Sequence, residues 1–323
     1  MASLSASGSC PQPRDAAWRT AGLRYYSRSF FCRAKFGRRV WKISLDGQLG
    51  CPNRDGTLAV GGCVFCDPES FSPSRRLGAV TIAAQLDAAI GRLSARRQAD
   101  RFVAYFQPGS NTYGPLPRLK SLYQEAISHP QVIGLAVGTR PDCVPDAVLD
   151  LLAEMATRTW LTVEYGLQTV HNRTLDWLNR GHHYDAFLDA AQRSRRRGLA
   201  IGVHVILGLP GEGPDDMIAT ARELARLGVE SVKLHNLYAV RNTPLARLVA
   251  TGDVKLIERD EYVCRVVDFL EQLPADCVVD RLVGDAPSSY LVAPAWCLEK
   301  GRVKAGIEAE FQRRDSWQGK KRA

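Results

Sequence analysis

The sequence predicts an α/β fold in which a parallel sheet curls into a barrel-like domain covered by helices. Two observations lead to this prediction. Short β-rich runs alternate with helical patterns along most of the 323 residues, as is typical of strands joined by crossover helices. Polar and glycine-rich segments recur at the C-terminal ends of successive strands, and active sites of parallel α/β barrels lie at that rim. The second observation favours an enzyme.

Seven runs are predicted strands because they are short and rich in apolar or β-branched residues. In chain order they cover residues 40–45, 102–106, 132–137, 161–165, 199–207, 232–237 and 278–282. The stretch 201–207 is almost continuously apolar, as expected for a strand that is buried on both faces. These runs therefore predict a parallel sheet with covering layers.

Six stretches with helical periodicity lie between these strands. They cover residues 82–97, 116–128, 145–157, 184–197, 214–227 and 258–273. Pro145 and Pro214 suit a first helical turn, and Gly198 and Gly228 suit a C-terminal cap. The alternation of strand and helix predicts one core domain.

We expect four regions: a disordered leader at 1–22, an N-terminal arm at 23–39, the core barrel at 40–283 and a C-terminal extension at 284–323. The leader is rich in Ser, Ala and Arg, which is typical of a disordered leader and also of a transit peptide. No apolar run reaches the ~20 residues of a membrane span. A reducing compartment is expected, either the cytoplasm or an organelle interior.

Composition and charge limit the classes of protein. Apolar residues form 45% and charged residues 24% of the chain, which excludes disorder over most of its length. Lys and Arg number 43 against 34 Asp and Glu, a net charge of +9. Basic residues concentrate in three stretches that fit either phosphate binding or a solvated surface. They are Arg33, Lys35, Arg38 and Arg39; residues 193–197; and Arg313, Arg314, Lys320, Lys321 and Arg322.

Three of the nine cysteines crowd into one loop, where Cys51, Cys63 and Cys66 have a C-x11-C-x2-C spacing. The paired cysteines follow Gly61 and Gly62, which free the backbone beside them. Purely structural thiols are one interpretation. A closed zinc site is another, but it needs four ligands, and no second pair completes the set. A 4Fe–4S cluster normally takes four cysteines, so three would leave one iron open to an outside ligand.

The loop resembles the cluster loop of radical S-adenosylmethionine (radical SAM) enzymes. The wider sequence is similar to the YhcC/YtqA-like family, relatives of the Elongator catalytic subunit. The matching segments are Lys35-Phe-Gly37, Cys51-Pro-Asn-Arg-Asp-Gly56, Gly61-Gly-Cys-Val-Phe-Cys66, Gly109-Ser-Asn-Thr-Tyr113, Gly138-Thr-Arg-Pro-Asp-Cys143, Glu164-Tyr-Gly-Leu-Gln168, Gly208-Leu-Pro-Gly211, Ala293-Pro-Ala-Trp296 and Trp317-Gln-Gly319. They extend over nearly the whole chain after residue 23.

The resemblance implies a partial (β/α)6 TIM-type barrel and a mechanism. Cys51, Cys63 and Cys66 would hold three irons of a 4Fe–4S cluster, and S-adenosylmethionine would chelate the fourth. An electron from the reduced cluster would cleave the sulfonium, giving methionine and a 5′-deoxyadenosyl radical that abstracts a substrate hydrogen. Phe65 would lie near the adenine. The protein would position these groups and exclude water.

Further cofactor contacts follow from the same resemblance. Gly109, Ser110, Asn111 and Thr112 occupy the place where related enzymes bind the methionine end of S-adenosylmethionine, although a plain strand–helix turn is the alternative. Glu164 lies inside an apolar strand, where an unpaired carboxylate is costly. It would contact the ribose or amino group of the cofactor, or else form a structural salt bridge.

Several residues at the predicted rim remain candidates with two interpretations each. Gly208 and Pro210 would flank the adenine, or they form a turn that needs no ligand. Cys143 is a candidate hydrogen-atom donor or extra ligand, or a bystander thiol. Basic residues at the rim would bind a phosphate or carboxylate of the substrate, or balance nearby acids. They are Arg140, Lys233, His235 and Arg281.

Kinship with the Elongator catalytic subunit, which acts on wobble uridine in tRNA, leads to a hypothesis about the substrate. We expect a tRNA-modifying enzyme that acts at a C5 substituent of wobble uridine, with a flavodoxin or ferredoxin as reducing partner and no membrane partner. One alternative is radical chemistry on a small metabolite or a protein side chain. Another is a non-enzymatic zinc or Fe–S RNA-binding module. The sequence does not indicate an oligomeric state.

Overall fold

A curled parallel sheet forms the centre of the molecule. The structure is a computed structural model that describes residues 17–72, 81–97 and 99–322. Its main strands are β1 (Trp41–Leu45), β2 (Phe102–Phe106), β3 (Val132–Thr139), β4 (Trp160–Gln168), β5 (Ala200–Leu207), β6 (Ser231–Asn236) and β8 (Val278–Arg281). These seven strands are parallel and lie side by side in chain order. A separate antiparallel pair joins β7 (Ala239–Val240) to β9 (Leu291–Ala293).

Helices connect the consecutive parallel strands. The described α-helices are α1 (Ala17–Thr20), α2 (Arg28–Phe36), α3 (Pro68–Phe71), α4 (Ile82–Arg97), α5 (Leu116–Ser128), α6 (Asp146–Ala156), α7 (Asn172–Trp177), α8 (Tyr184–Arg196), α9 (Pro214–Leu227), α10 (Pro244–Ala250), α11 (Arg259–Leu270) and α12 (Lys300–Arg313). Between β1 and β6 each crossover contains one long helix, and α11 precedes β8. The chain therefore repeats the β-then-α pattern that the sequence predicts.

The sheet is a half-barrel because its two edge strands approach each other. β1 and β8 are the outermost strands of the seven. The Lys42 ammonium on β1 nevertheless forms an ion pair with the Asp280 carboxylate on β8. Side chains of opposite edges can meet only if the sheet curls strongly about a central space. That space becomes the cavity described below.

The core forms where apolar helix faces pack on fully buried strands. Every residue of β2 is buried, as expected for a central strand of a parallel sheet. Helix α5 buries Leu119, Tyr123 and Ala126, which share one face because they are three or four residues apart. The Tyr123 ring meets the Phe106 ring of β2 edge-on, with centroids 5.3 Å apart. The same sequence periodicity that predicts the helix therefore explains its contact with the sheet.

The elements predicted from the sequence are present, with small differences at their ends. Helices 82–97, 116–128 and 214–227 have the predicted bounds. Strand β4 continues beyond the predicted end at 165 to Gln168, because its pairing with β5 resumes there after a shift in register. The sheet has seven strands, one more than the six units that the family resemblance implies. In the described ranges, no helix combines the length and apolar character needed to cross a membrane.

Both ends of the described chain pack against the core. The predicted leader covers 1–22; its residues 1–16 lie outside the described part, while α1 lies inside it and buries Trp18. The Trp18 Nε1 donates a hydrogen bond to the carbonyl of Ala275 at 2.8 Å. Near the other end, the Gln318 amide donates to the carbonyl of Cys277 at 2.8 Å. Packing therefore begins before the predicted boundary at residue 22.

Candidate active site

A cavity of about 880 Å³ lies between the cysteine-rich loop and the inner face of the curled sheet. It brings together most of the residues that the sequence singles out, because successive parallel strands deliver their side chains to one central space. The predicted site residues that line it are Cys51, Cys63, Phe65, Cys66, Gly109, Ser110, Arg140, Glu164, Lys233, His235 and Arg281.

The three loop cysteines share one wall of this cavity, and Cys63 receives two hydrogen bonds. The Arg180 guanidinium donates from Nη1 to the Cys63 Sγ at 3.1 Å, and the Asn53 amide donates to it at 3.5 Å. Both groups can still donate to this sulfur when it binds a metal, as supporting hydrogen bonds to metal ligands do. Burial raises the pKa of the Cys66 thiol to about 12, and the nearby Cys63 adds to the shift. A bound cation would offset the repulsion between the negative charges of two neighbouring thiolates.

The three loop cysteines all line the same cavity. In the described ranges, no three His, Cys, Asp or Glu side chains lie close enough together to hold one metal ion. In an iron–sulfur cluster each cysteine binds its own iron, so the sulfurs surround a group of atoms instead of meeting at one point. Three thiols facing one cavity from a single loop therefore fit a cluster of metal atoms.

Asn111 and Thr112 hold the backbone of the site and do not line the cavity. The Asn111 amide donates to the carbonyls of Phe106 at 3.1 Å and Gly138 at 2.8 Å. The Thr112 hydroxyl donates to the Cys143 carbonyl at 2.5 Å. Both side chains thus tie the loop after β2 to β3 and to the turn that follows β3, and their contact with the cofactor stays a prediction.

Three other predicted residues, Cys143, Gly208 and Pro210, also lie away from the cavity. Cys143 is buried in the wall of a separate groove, and burial, with Asp142 beside it, raises the pKa of its thiol to about 12. Gly208 packs against Ile257, since a Cβ added to it would lie 2.7 Å from the Ile257 Cγ2. Close packing against Ile257 therefore explains why residue 208 is a glycine.

A buried network of charged side chains crosses the cavity at Glu164, which is 1% exposed. Its carboxylate pairs with the Lys42 ammonium, accepts from the Lys233 Nζ at 2.7 Å and contacts the His204 Nε2 at 2.8 Å. Burial alone would raise the pKa of Glu164, but the charges of Lys233 and Lys42 hold it well below its usual range. Glu164 thus forms salt bridges, as expected for a structural role, and it also lines the cavity.

The network continues to the last strand of the sheet. The Lys42 ammonium also pairs with Asp280, which accepts a hydrogen bond from the Arg28 guanidinium at 3.0 Å. The Lys233 Nζ also donates to the Tyr105 hydroxyl at 2.9 Å, and burial lowers the pKa of Lys233 to about 7. Side chains from six different strands thus meet inside the half-barrel, and the carboxylates of Glu164 and Asp280 pair there with buried basic groups.

We expect His204→Gln to flatten the pH dependence of stability below neutral pH. Burial, with Lys233 nearby, lowers the pKa of His204 to about 4 in the folded protein, whereas an unfolded histidine titrates near ~6.5. Between these values the unfolded chain binds more protons, so stability rises with pH. The substitution should reduce that slope by about 1.4 kcal/mol per pH unit.

Urea unfolding of both proteins from acidic to mildly alkaline pH measures this effect. The two stability curves should run parallel above neutral pH, which serves as the internal control. Equal slopes on the acidic side would show that His204 takes up its proton as readily in the folded protein as in the unfolded chain.

Two known protein-domain families match this chain. The Radical SAM superfamily matches residues 48–224, and the Radical_SAM C-terminal domain matches residues 229–313. This chain belongs to the radical SAM superfamily. It is therefore an enzyme of a superfamily that uses a 4Fe–4S cluster and S-adenosylmethionine, which confirms the family, fold and cofactors that the sequence predicts. The matched C-terminal domain begins at 229, inside the predicted core region.

Individual relatives agree with the superfamily assignment. The chain is 37% identical over 300 residues to YtqA of Bacillus subtilis, covering 92% of each protein. It is 39% identical over 266 residues to YhcC of Escherichia coli, covering 81% of this chain and 84% of that one. Among solved structures, archaeal Elp3 of Methanocaldococcus infernus has a TM-score of 0.67 at 15% identity, over 86% of this chain and 64% of the other. That structural likeness shows the shared fold.

Four groups of this radical SAM site were not predicted from the sequence: Lys42, Tyr105, Arg180 and His204. Lys42 and His204 are polar residues within otherwise apolar predicted strands, a signal that could have identified them, as it did Glu164. Arg180 follows a short helix and carries no such signal. Its role depends on the approach of residues 180 and 63, which are 117 positions apart in the chain.

Proposed function

We propose that this radical SAM enzyme holds its cluster through Cys51, Cys63 and Cys66 and modifies a C5 substituent of wobble uridine in tRNA. The observation that carries the cluster assignment is the cavity wall, where the three thiols lie together and Arg180 donates to the Cys63 sulfur. The substrate assignment rests on relatives and on charge.

Relatives with a printed activity support a tRNA substrate. A tRNA uridine(34) acetyltransferase of Methanocaldococcus jannaschii is 27% identical over 165 residues, which are 50% of this chain and 30% of that protein. A second tRNA uridine(34) acetyltransferase, from Dehalococcoides mccartyi, is 25% identical over 203 residues, or 62% of this chain and 43% of the other. We transfer the class of substrate from these relatives and leave acetyl transfer to those proteins.

Unsatisfied polar atoms in the cavity wall fit S-adenosylmethionine. Arg140 Nη1 and Arg180 Nε are buried and have no hydrogen-bond partner among the described residues. Both side chains line the cavity beside the cysteines, and a guanidinium is well suited to a carboxylate such as the one on the methionine end. Gly109 and Ser110 line the same wall, and Phe65 offers an apolar surface for the adenine.

The chain's own residues provide position and charge balance. The chemistry that the bound cofactors supply is reductive cleavage of S-adenosylmethionine followed by abstraction of a substrate hydrogen atom. Arg180 donates a hydrogen bond to the Cys63 sulfur, and Ile206 and Leu237 contribute apolar surface to the wall. The network around Glu164 keeps two lysines buried and paired beside the substrate space. His235 and Arg281 line the same cavity and would contact an anionic group of the substrate.

The tRNA proposal predicts a missing nucleoside in a deletion strain of the source organism. Bulk tRNA from parent and deletion strains is digested and compared by nucleoside mass spectrometry, and a precursor of wobble uridine should accumulate in the deletion strain. Restoring the gene should restore the product, whereas the Cys63→Ala form should not. Unchanged nucleoside spectra would contradict the tRNA assignment.

A cavity of about 880 Å³ also has room for a small substrate, so the alternative of radical chemistry on a metabolite or a protein side chain needs its own test. The purified enzyme is reconstituted anaerobically and supplied with a flavodoxin or ferredoxin, the reducing partners expected in a reducing compartment such as the cytoplasm. Formation of 5′-deoxyadenosine should rise on addition of tRNA from the deletion strain. Stimulation by a small-molecule extract and not by tRNA would favour the alternative.

A further inference from the structure

The three basic stretches of the sequence differ in how far their charge is already neutralised. In the run 193–197, Arg193 pairs with Asp189 at 2.7 Å and Arg197 pairs with Asp150 at 2.6 Å. Arg195 donates to the Gly228 carbonyl at 2.8 Å. This stretch lies on α8 and does not line the cavity. Most of the positive charge of this stretch is therefore already paired with groups of the protein itself.

The C-terminal basic stretch is also largely paired. Arg313 and Arg314 form ion pairs with Glu310 at 2.7 and 2.6 Å, and Arg314 also pairs with Asp268. Nearby, Lys320 lies over the Trp317 ring, 4.7 Å from its centroid. None of these side chains lines the cavity.

The stretch in the N-terminal arm is different, and we call Arg33, Lys35, Arg38 and Arg39 the arm surface. All four side chains are exposed. Arg38 pairs with Asp100, whereas Arg33 and Lys35 have no acidic partner among the residues that the structure describes. The arm surface therefore keeps charge that is available to a partner.

The arm surface also continues into the active-site cavity. Arg39 lines the cavity together with Arg28 and Trp41. The Arg39 guanidinium lies over the Trp41 ring, 4.1 Å from its centroid. A guanidinium over an indole ring at the edge of a basic surface is a suitable contact for an unstacked base.

We propose that the arm surface docks the phosphate backbone of the RNA substrate at the mouth of the cavity. This inference rests on the proposed tRNA function and locates the contact. Phosphates of a single-stranded loop would bind Arg33 and Lys35, and the Arg39–Trp41 stack would hold a base at the entrance. The target nucleotide must leave the base stack to reach a buried site, so a docking surface beside the entrance serves that movement.

The test compares two variants that remove the same charge from different places. Arg33→Gln/Lys35→Gln changes the arm surface, and Arg195→Gln/Arg196→Gln changes α8. Fluorescence anisotropy measures binding of labelled tRNA to each reconstituted protein over a series of salt concentrations. The arm variant should bind more weakly, and the slope of log K against log salt should fall by about 1.4 to 1.8, which is two phosphate contacts. The α8 variant should keep the wild-type slope.

The outcomes separate this inference from the proposed function. Wild-type protein that shows no salt-dependent tRNA binding would overturn both. Salt-dependent wild-type binding together with equal slopes for the two variants would overturn the arm surface and leave the tRNA substrate standing. Urea unfolding of each variant verifies that the substitutions have not altered the fold.

Discussion

Cys63→Ala is expected to remove the iron–sulfur cluster and to reduce S-adenosylmethionine cleavage by at least about 100-fold. Loss of residues that merely support a metal ligand costs 10- to 100-fold, and loss of the ligand itself should cost more. Cys63 is the thiol with the most support, since Arg180 and Asn53 both donate to its sulfur. Anaerobic reconstitution followed by iron and sulfide analysis and a 5′-deoxyadenosine assay measures both effects.

Cys143→Ala is the matched control for this experiment. The Cys143 thiol is buried as well, but it lies in a separate groove and not in the cavity. Its removal should leave both the cluster content and cofactor cleavage close to wild type. If Cys63→Ala retains the cluster, or if Cys143→Ala loses it, the ligand assignment fails.

Glu164→Gln should destabilise the folded protein by about 3–5 kcal/mol, because it removes the acidic partner of buried Lys233 and one of the two acidic partners of Lys42. The carboxylate balances Lys42 and Lys233, whose side chains are 14% and 7% exposed. An amide has the same shape but cannot neutralise an ammonium. Chemical denaturation at neutral pH measures the loss of unfolding free energy.

Two further variants test whether pairing is the cause. Glu154→Gln breaks an ion pair with Lys120 that is about half exposed, so it should cost less than about 1 kcal/mol. Lys233→Met combined with Glu164→Gln should cost less than the sum of the two single changes, since each removes the partner of the other. A loss for Glu164→Gln as small as that for Glu154→Gln would contradict the network.

The fold was predictable because its elements are local. Apolar runs and helical periodicity depend on neighbouring residues, so they locate strands and helices without knowledge of the tertiary structure. The end of β4 at Gln168 was missed because it depends on register with β5. The seventh strand was visible as an apolar run, but its place beside β6 depends on how far the sheet curls.

The site was predictable where chemistry requires a fixed spacing. Cys51, Cys63 and Cys66 stand together in one loop, so the sequence itself indicates that they meet. Asn111 has the right position in the chain for a cofactor contact, yet its amide bonds to backbone carbonyls. The direction of a side chain in a turn depends on strands that the sequence does not bring together. For that reason the contact between Arg180 and Cys63 needed the structure.

The ion pair between β1 and β8 has a consequence for how the protein is made. Lys42 and Asp280 are 238 residues apart in the chain, so Lys42 leaves the ribosome long before its partner is synthesised. Until β8 is made, Lys42 on β1 has no Asp280 to pair with. An unpaired ammonium is more stable in water than in a buried site. The interior of the half-barrel can therefore exclude water only after β8 has been synthesised.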